Sequence, residues 1–278
     1  MSESAAPGAL YVVSTPIGNM GDMSFRAVEV LSSAALVIAE DTRHSRRLLD
    51  HYEIKTRCLP YHEHNEARET PRLVKRLSDG ESLALITDAG TPLVSDPGAR
   101  LVNAAIDAGI DVVPVPGASA LLAALVGSGA AGEKFTFFGF LPRKGKERLH
   151  SLTEIMRMSH TAVIYEAPSR VGATLCELSE AGAGSRYAVV ARELTKKFEE
   201  FARGRIDELA EKFTTAPARG EVVILVCGAE REEITEDSLR EHALRMRNES
   251  ILPREITERL IGEHGASRNL AYRLAHEE

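Results

Sequence analysis

The segment TDAGTPLVSDPG (residues 87–98) contains two glycines, two prolines and two aspartates, and it follows the strand-like apolar run at 82–87. Glycine lets a backbone approach a ligand closely, and proline fixes the shape of a loop. A long rigid loop at the end of a strand commonly shapes a binding site. We therefore predict that this segment contacts a ligand.

A second loop, STPIGNMGD (residues 14–22), follows another strand-like run and contains Gly18 and Gly21. In open α/β sheets, ligands bind beyond the carboxyl ends of the strands, where this loop would lie. Its G-x-x-G spacing fits an ordinary strand-to-helix turn as well as a ligand loop. It has neither the G-x-G-x-x-G fingerprint nor a Walker motif, which argues against NAD and ATP as ligands.

Two polar residues near a strand end could move or stabilise charge during a reaction. Glu193 could act as a general base, and Lys196 could stabilise a developing oxyanion. A structural ion pair is the alternative for both. Glu193 and Lys196 are the catalytic residues that we predict.

The hexapeptide YHEHNE (residues 61–66) places His62 and His64 at a spacing that could coordinate a metal ion. No cysteine or third histidine accompanies them at a structural-zinc spacing, so we predict no metal site. Contact of His64 and Asn65 with an RNA substrate is one interpretation of this segment. A capped, solvated helix start is the other.

The densest basic segment in the chain is RKGKER (residues 143–148), in which four basic residues accompany one glutamate. Such a cluster at a helix start could anchor the phosphate groups of an RNA. A solvated helix start is again the alternative. The predicted phosphate contacts are Arg143, Lys144, Lys146 and Arg148.

An α/β fold must position these residues, because short β-branched runs alternate with helix-like stretches along the chain. This alternation predicts parallel sheets. We expect a disordered tail (1–9), an N-terminal α/β domain (10–126), a glycine-rich linker (127–133), a C-terminal α/β domain (134–229) and a small helical appendage (230–278).

The composition is that of a globular protein, with 278 residues of which 44% are hydrophobic and 27% charged. The three cysteines cannot all pair, which excludes a disulfide scaffold. No apolar run reaches the ~18 residues of a membrane span, and no signal-peptide pattern is present, so we expect a cytoplasmic protein without membrane contact. The net charge of −7 argues against nonspecific DNA binding but allows an RNA held by a local basic patch.

Several further motifs accompany the two loops in a family-like order and spacing. They are EDTR (40–43), YHEHNE (61–66), VPGASA (115–120), GFLPR (139–143), YEAPSR (165–170), RELTK (192–196) and RGEVV (219–223). Across residues 10–228 the chain resembles the RsmI family of bacterial small-subunit ribosomal RNA methyltransferases, within the tetrapyrrole-methylase superfamily. Tetrapyrrole-modifying members carry a G-D-P type loop where this chain has Gly90-Thr91-Pro92.

The resemblance implies two α/β domains with S-adenosylmethionine (AdoMet) in the cleft between them, and a homodimer. It also implies methylation of a cytidine 2′-hydroxyl in 16S rRNA, at the decoding centre of the 30S subunit. A small-molecule, tetrapyrrole-like methylase and a non-catalytic ribosome-binding module remain as alternatives. By position, the implied cofactor contacts are Thr15, Pro16, Gly18, Thr91, Val94, Ser119, Ala120, Tyr165, Glu166 and Gly220.

Methyl transfer from AdoMet mainly requires alignment of the acceptor oxygen, the methyl carbon and the sulfur, because the methyl group is already activated on a sulfonium. A ribose hydroxyl is a poor nucleophile until its proton is lost or shared. A base such as Glu193, or a cation such as Lys196, would therefore help.

Overall fold

The computed structural model describes residues 8–229, 236–262 and 265–277. The chain divides into two compact units, residues 1–229 and residues 230–278. Residues 1–7 of the predicted disordered tail lie outside the described ranges. Ala9 is buried, and its carbonyl oxygen accepts a hydrogen bond from the backbone N–H of Leu83. The tail boundary at residue 9 was therefore placed too late.

A parallel sheet of five strands forms the centre of the first half of the larger unit. Its strands are β1 (Leu10–Val13), β2 (Leu36–Ala39), β3 (Cys58–Pro60), β4 (Leu83–Leu85) and β5 (Val112–Val115). Their spatial order is β3-β2-β4-β1-β5, and every neighbouring pair is parallel. Strands buried on both faces have continuous apolar sequences, which is why β1, β2 and β4 were recognisable.

Helices cover both faces of this sheet. They are α1 (Phe25–Ser33), α2 (Thr42–His51), α3 (Glu66–Ser78) and α4 (Ala99–Asp107). Leu31 of α1 and Leu49 of α2 belong to the core on one face, and Leu77 of α3 and Leu101 of α4 to the core on the other. Ser24 caps α1 by accepting a hydrogen bond from the first turn, as its position predicts.

A second sheet of five strands lies in residues 134–229. Its strands are β6 (Phe135–Phe140), β7 (Thr161–Glu166), β8 (Tyr187–Arg192), β9 (Glu200–Arg205) and β10 (Val222–Val226). Their order is β6-β7-β10-β8-β9, and only β6 and β7 are parallel. The prediction of parallel sheets is therefore wrong for this half, and β9 was not predicted.

Helices from both halves cover the second sheet. The helices α5 (Ala120–Ser128), α6 (Lys146–Arg157), α7 (Val171–Leu178) and α8 (Ile206–Thr215) surround it. Residues of α6, α7 and α8 share one core with it, whereas Ala124 and Leu125 of α5 pack on its other face. Because α5 runs to Ser128, the first two residues of the predicted linker (127–133) are helical. The boundary between the two α/β halves within residues 127–133 remains a prediction.

The second unit is helical, as predicted. It contains α9 (Glu236–Asn248), α10 (Pro253–Gly262) and α11 (Arg268–His276). Leu239, Ile256, Leu260 and Leu274 form its own apolar core. Within the described ranges, none of the helices has the length and hydropathy to cross a membrane.

Candidate active site

A cavity of about 430 Å³ opens at the carboxyl edge of the first sheet, and residues of the second half close its other side. Small-molecule sites commonly have volumes of roughly 300–1,000 Å³. The first half contributes the loop after β4 and the start of α5. The second half contributes the end of β7 and the start of β10. The cavity thus lies where an open parallel sheet binds ligands.

Seven of the ten predicted cofactor contacts line this cavity. They are Thr91, Val94, Ser119, Ala120, Tyr165, Glu166 and Gly220. The fold brings them together from four segments of the chain. Their contact with AdoMet remains a prediction.

The loop after β1 supports this cavity more than it lines it. The hydroxyl of buried Thr15 donates to the carbonyl oxygen of Thr87 at 3.2 Å. The backbone of Thr15 also pairs with Gly90, with N···O distances of 2.8 and 3.1 Å. Thr15 and the buried Pro16 do not appear in the wall of the cavity, but Ile17, which the sequence analysis did not single out, does.

Gly18 is explained by packing between the two halves. A Cβ atom at Gly18 would lie 2.4 Å from Cγ of Lys196, so the missing side chain makes room for this lysine. The next residue, Asn19, donates its backbone N–H to Oγ1 of Thr195 at 3.1 Å. Gly18 therefore serves the contact between the halves and is not part of the cavity wall.

The predicted ligand loop (87–98) is held by side-chain hydrogen bonds. Ser14 Oγ donates to Thr91 Oγ1 at 3.1 Å, and Thr91 Oγ1 donates to the carbonyl oxygen of Ala118 at 3.2 Å. Leu93 and Ser95 have φ values of +73° and +68°, a region that costs non-glycine residues roughly 1–2 kcal/mol each. Strained backbone of this kind clusters at binding sites, where the surroundings hold it in place.

Tyr165 forms the facing wall from the end of β7. Its hydroxyl oxygen accepts a hydrogen bond from the backbone N–H of Leu121, at 3.1 Å. Its ring packs edge-on against Phe137 and Phe140, with centroid distances of 4.8 and 5.6 Å. Burial raises the pKa of Tyr165, so its phenol is neutral at physiological pH.

The neighbouring Glu166 also lines the cavity, and its carboxylate is buried in a polar network. Its Oε2 accepts a hydrogen bond from Thr174 at 2.7 Å, and Oε1 lies 3.3 Å from Nε of Arg170. Arg148 lies 4.0 Å from Glu166, 2.9 Å from the Thr174 hydroxyl and 2.7 Å from Glu177. The Glu166 side chain therefore fixes the end of β7.

The prediction that Arg148 contacts RNA is wrong, because its side chain is only 7% exposed and its guanidinium is bonded within this network. Arg143, Lys144 and Lys146 are exposed, as an RNA contact requires. They precede or begin α6. The sequence shows how dense the charges are, but it does not show which of them face the core.

In the segment after β3, the Asn65 side chain stabilises the turn before α3 and does not cap the helix. This side chain is buried, accepts a hydrogen bond from the backbone N–H of His62 at 2.9 Å and donates one to Pro60 at 3.0 Å. Asn65 therefore cannot reach RNA, and its assignment as an RNA contact is wrong. His64 is exposed. Among the described residues, no group of three or more His, Cys, Asp or Glu side chains could hold a metal ion.

The predicted catalytic pair, Glu193 and Lys196, lies beside the cavity and not in its wall. Lys196 Nζ is 3.0 Å from Glu193 Oε1 and 3.1 Å from Oε2 of Glu221, which does line the cavity. The hydrogen bond from Lys196 lowers the pKa of Glu193, which makes Glu193 a weaker base. A Cβ atom at Gly220 would lie 2.0 Å from Glu193 Oε1. This geometry favours the structural ion pair.

Besides Glu221, three carboxylates that the sequence analysis did not assign to the site line the cavity. They are Glu40, which follows β2, and Asp88 and Asp96 of the loop after β4. Burial raises the pKa of Asp96, and nearby Asp88 adds to the rise. Burial also raises the pKa of Glu40, together with the charges of Asp88 and Asp96. The available signal was the position of Glu40 and Asp88 shortly after strands of a parallel sheet.

This two-sheet fold is shared with solved structures of methyltransferases. The family model described as Tetrapyrrole (Corrin/Porphyrin) Methylases matches residues 9–210. The chain belongs to this family.

Similar curated relatives carry one name, Ribosomal RNA small subunit methyltransferase I. The relative from Synechocystis sp. is 41% identical over 273 residues, which are 97% of this chain and 98% of the relative. The relative from Mesorhizobium japonicum is 50% identical over 223 residues, 80% of this chain and 76% of the relative.

Solved structures share the fold at lower identity. Uroporphyrin-III C-methyltransferase from Thermus thermophilus, complexed with S-adenosyl homocysteine, has a TM-score of 0.58 and 18% identity, covering 79% of this chain and 97% of that one. Diphthine synthase has a TM-score of 0.62 and 15% identity, covering 79% and 89%.

Replacing Arg148 by Met should lower the free energy of unfolding by about 3 kcal/mol, because it leaves the buried Glu166 with less compensating charge. Denaturant unfolding of the full chain, followed by circular dichroism, measures this change. The control is Lys146→Met, at an exposed position in the same helix, which should change stability by less than about 0.5 kcal/mol. Equal effects of the two substitutions would contradict the network.

Proposed function

We propose that this protein is an AdoMet-dependent methyltransferase that methylates a cytidine 2′-hydroxyl in 16S rRNA of the small ribosomal subunit, at the decoding centre. The observation that carries the proposal is the likeness to a small-subunit rRNA methyltransferase over nearly the full length of both chains. The cytidine and the decoding centre are what the resemblance of the sequence motifs to the RsmI family implies.

The chemistry of the cavity wall fits AdoMet. Ile17, Val94 and Ala120 offer apolar contact to an adenine ring. Glu221 places negative charge in the wall, where the cationic groups of AdoMet would be favoured. AdoMet supplies an activated methyl group when bound, so the main task of the chain is to align the acceptor with it and exclude water.

The test is incubation of the protein with tritiated AdoMet and each of three acceptors: 30S subunits, protein-free 16S rRNA and a precorrin-type tetrapyrrole. We expect label in rRNA, in a dinucleotide that resists alkaline hydrolysis because the 2′-oxygen is blocked. Label in the tetrapyrrole would instead support a small-molecule methylase. Label in none of them, with 30S binding retained, would support a non-catalytic ribosome-binding module.

Thr91→Arg should reduce AdoMet affinity at least 100-fold, which corresponds to about 2.7 kcal/mol. Thr91 lies in the cavity wall between Ser14 and Ala118, so the longer side chain fills the cavity and its cation repels the sulfonium. Isothermal titration calorimetry measures the affinity. Thr215→Arg, at an exposed site at the end of α8, is the control and should bind AdoMet as the wild type does. Wild-type affinity of Thr91→Arg would place the cofactor elsewhere.

The RNA contact that we propose is a basic groove beside α6. A cavity of about 700 Å³ carries four basic residues and two glutamates in its lining: Arg143, Lys144, the largely buried Arg148, the exposed Arg157 at the end of α6, Glu177 and Glu180. Among the proposed phosphate contacts, Arg157 takes the place of Arg148, because the Arg148 side chain is largely buried. A local basic groove allows an acidic protein to hold RNA despite the repulsion of its overall charge.

Replacing Arg143, Lys144 and Lys146 together by Ser should weaken 30S binding at least tenfold in ~150 mM salt, about 1.4 kcal/mol. The slope of log affinity against log salt should fall by about two, because fewer phosphate-bound counterions are released. Filter binding at several salt concentrations measures both quantities, and AdoMet affinity should not change.

A charge-matched control removes three exposed cations on another part of the surface. They are Lys55, Arg72 and Lys75. If the control and the groove variant lose the same affinity, only net charge matters and the groove is not the contact.

We also propose a cytoplasmic homodimer. Leu122 and Val126 lie four residues apart on α5 and are 51% and 77% exposed, which leaves an apolar helix face for a second copy to cover. The three cysteines are free thiols, as in a reducing compartment. Changing both apolar residues to Glu should halve the mass measured by analytical ultracentrifugation; an unchanged dimer mass would place the interface elsewhere.

A further inference from the structure

The cavity has two ends along the edge of the first sheet. Strand order places β5 and β1 at one end, next to the predicted cofactor contacts Ser119 and Thr91. Strands β4 and β2 lie toward the other end, where Asp88 and Glu40 follow them. Asp96 lines the cavity from the loop after β4. We call Glu40, Asp88 and Asp96 the acidic corner.

The members of the acidic corner are not equivalent. The Asp88 carboxylate binds the backbone: its Oδ1 accepts a hydrogen bond from the N–H of Asp41 at 3.2 Å. Asp96 is half-buried and, in the part of the chain that the structure describes, it forms no ion pair with a cationic side chain. A carboxylate in a cavity without a paired cation retains its capacity to take a proton.

A second observation marks the same place. The hydroxyl of Thr87 is buried, with the residue 3% exposed, and it has no hydrogen-bond partner of normal geometry among the described atoms. It lies beside the Asp96 carboxyl group, whose pKa it lowers against the rise caused by burial. Unpaired buried hydroxyls are rare, and a bound ligand or an ordered water commonly satisfies them.

The geometry points to Asp96 as the general base that takes the proton of the acceptor hydroxyl during methyl transfer. This assignment rests on the proposed function. It replaces Glu193, which is bonded to Lys196 outside the cavity wall.

The step balances without a further reactant. The acceptor oxygen forms a bond to the methyl carbon while the carbon–sulfur bond breaks, and the bonding pair remains on sulfur as a neutral thioether. The hydroxyl proton passes to a carboxylate oxygen of Asp96. Water then removes this proton and returns the carboxylate for the next turnover.

The surroundings of Asp96 set the direction of the pH dependence. Asp88 on the same loop, Glu40 after β2 and Tyr165 from β7 interact with it electrostatically. Burial is the largest cause of the raised pKa of Asp96, and the charge of Asp88 raises it further. The pKa of Asp96 therefore lies above that of an ordinary aspartate. The base is protonated and inactive below this pKa and active above it. The rate of transfer should therefore fall as the pH drops through it.

The experiment measures single-turnover methylation of 30S subunits by the full chain with saturating AdoMet, from pH 4.5 to 9. AdoMet affinity is measured in parallel by calorimetry. Asp96→Asn keeps the size and the hydrogen-bonding oxygen but cannot take the proton. We expect a rate at least 100-fold below wild type, since general bases contribute roughly 10²–10⁴-fold. AdoMet affinity should stay within threefold, and the low-pH decline should disappear.

Two further variants keep the result interpretable. Asp96→Glu retains a carboxylate. It should methylate at least tenfold faster than Asp96→Asn, and its rate should again decline at low pH. Asp107→Asn, on the exposed end of α4, should behave as wild type in both assays.

An Asp96→Asn rate within threefold of wild type would overturn the assignment. So would a loss of AdoMet affinity equal to the loss of rate, which would make Asp96 a cofactor ligand. A low-pH decline that persists in Asp96→Asn would do the same. Absence of label in rRNA with the wild-type chain would instead overturn the proposed function, and the assignment with it.

Discussion

The pairing of Thr15 with Gly90 is the interaction on which the site depends. Two backbone hydrogen bonds join the loop after β1 to the loop after β4, and the buried Thr15 hydroxyl adds a third bond to the carbonyl of Thr87. Gly90 has a φ of +84°, which a residue with a side chain would adopt only with strain. Without this pairing, the strained loop that carries Thr91 and Asp96 would have no fixed position over the strand ends.

The carboxylate that stabilises the cavity and the carboxylate proposed to take the proton have different surroundings. Glu166 directs its carboxylate into a buried network of arginines and Thr174, and so holds the wall in place. Asp96 faces the cavity without an ion pair to a described cation. A buried carboxylate that is fully bonded stabilises geometry, whereas one that is only partly desolvated can exchange a proton.

Local sequence was sufficient for features that depend on local physics. The apolar runs of β1, β2 and β4 and the rigid loop at 87–98 are properties of consecutive residues, and the structure confirms them. Strand pairing in the second half is not local, since β10 inserts between β7 and β8. The edge strand β9 has the polar sequence EFARGR, which does not resemble a buried strand. Arg148 was misassigned because charge alone does not tell which side of a helix faces the core.

The packing of α5 limits how the protein can exchange its ligands. This helix follows β5 in the chain, yet Ala124 and Leu125 pack on the face of the second sheet. Separating α5 from that sheet would expose apolar surface, at roughly 25 cal/mol for each Å². A hinge between the two halves would therefore carry α5 along with the second sheet and bend the chain between β5 and α5. Such a movement would fall in the range of microseconds to milliseconds, in which opening steps limit the turnover of many enzymes.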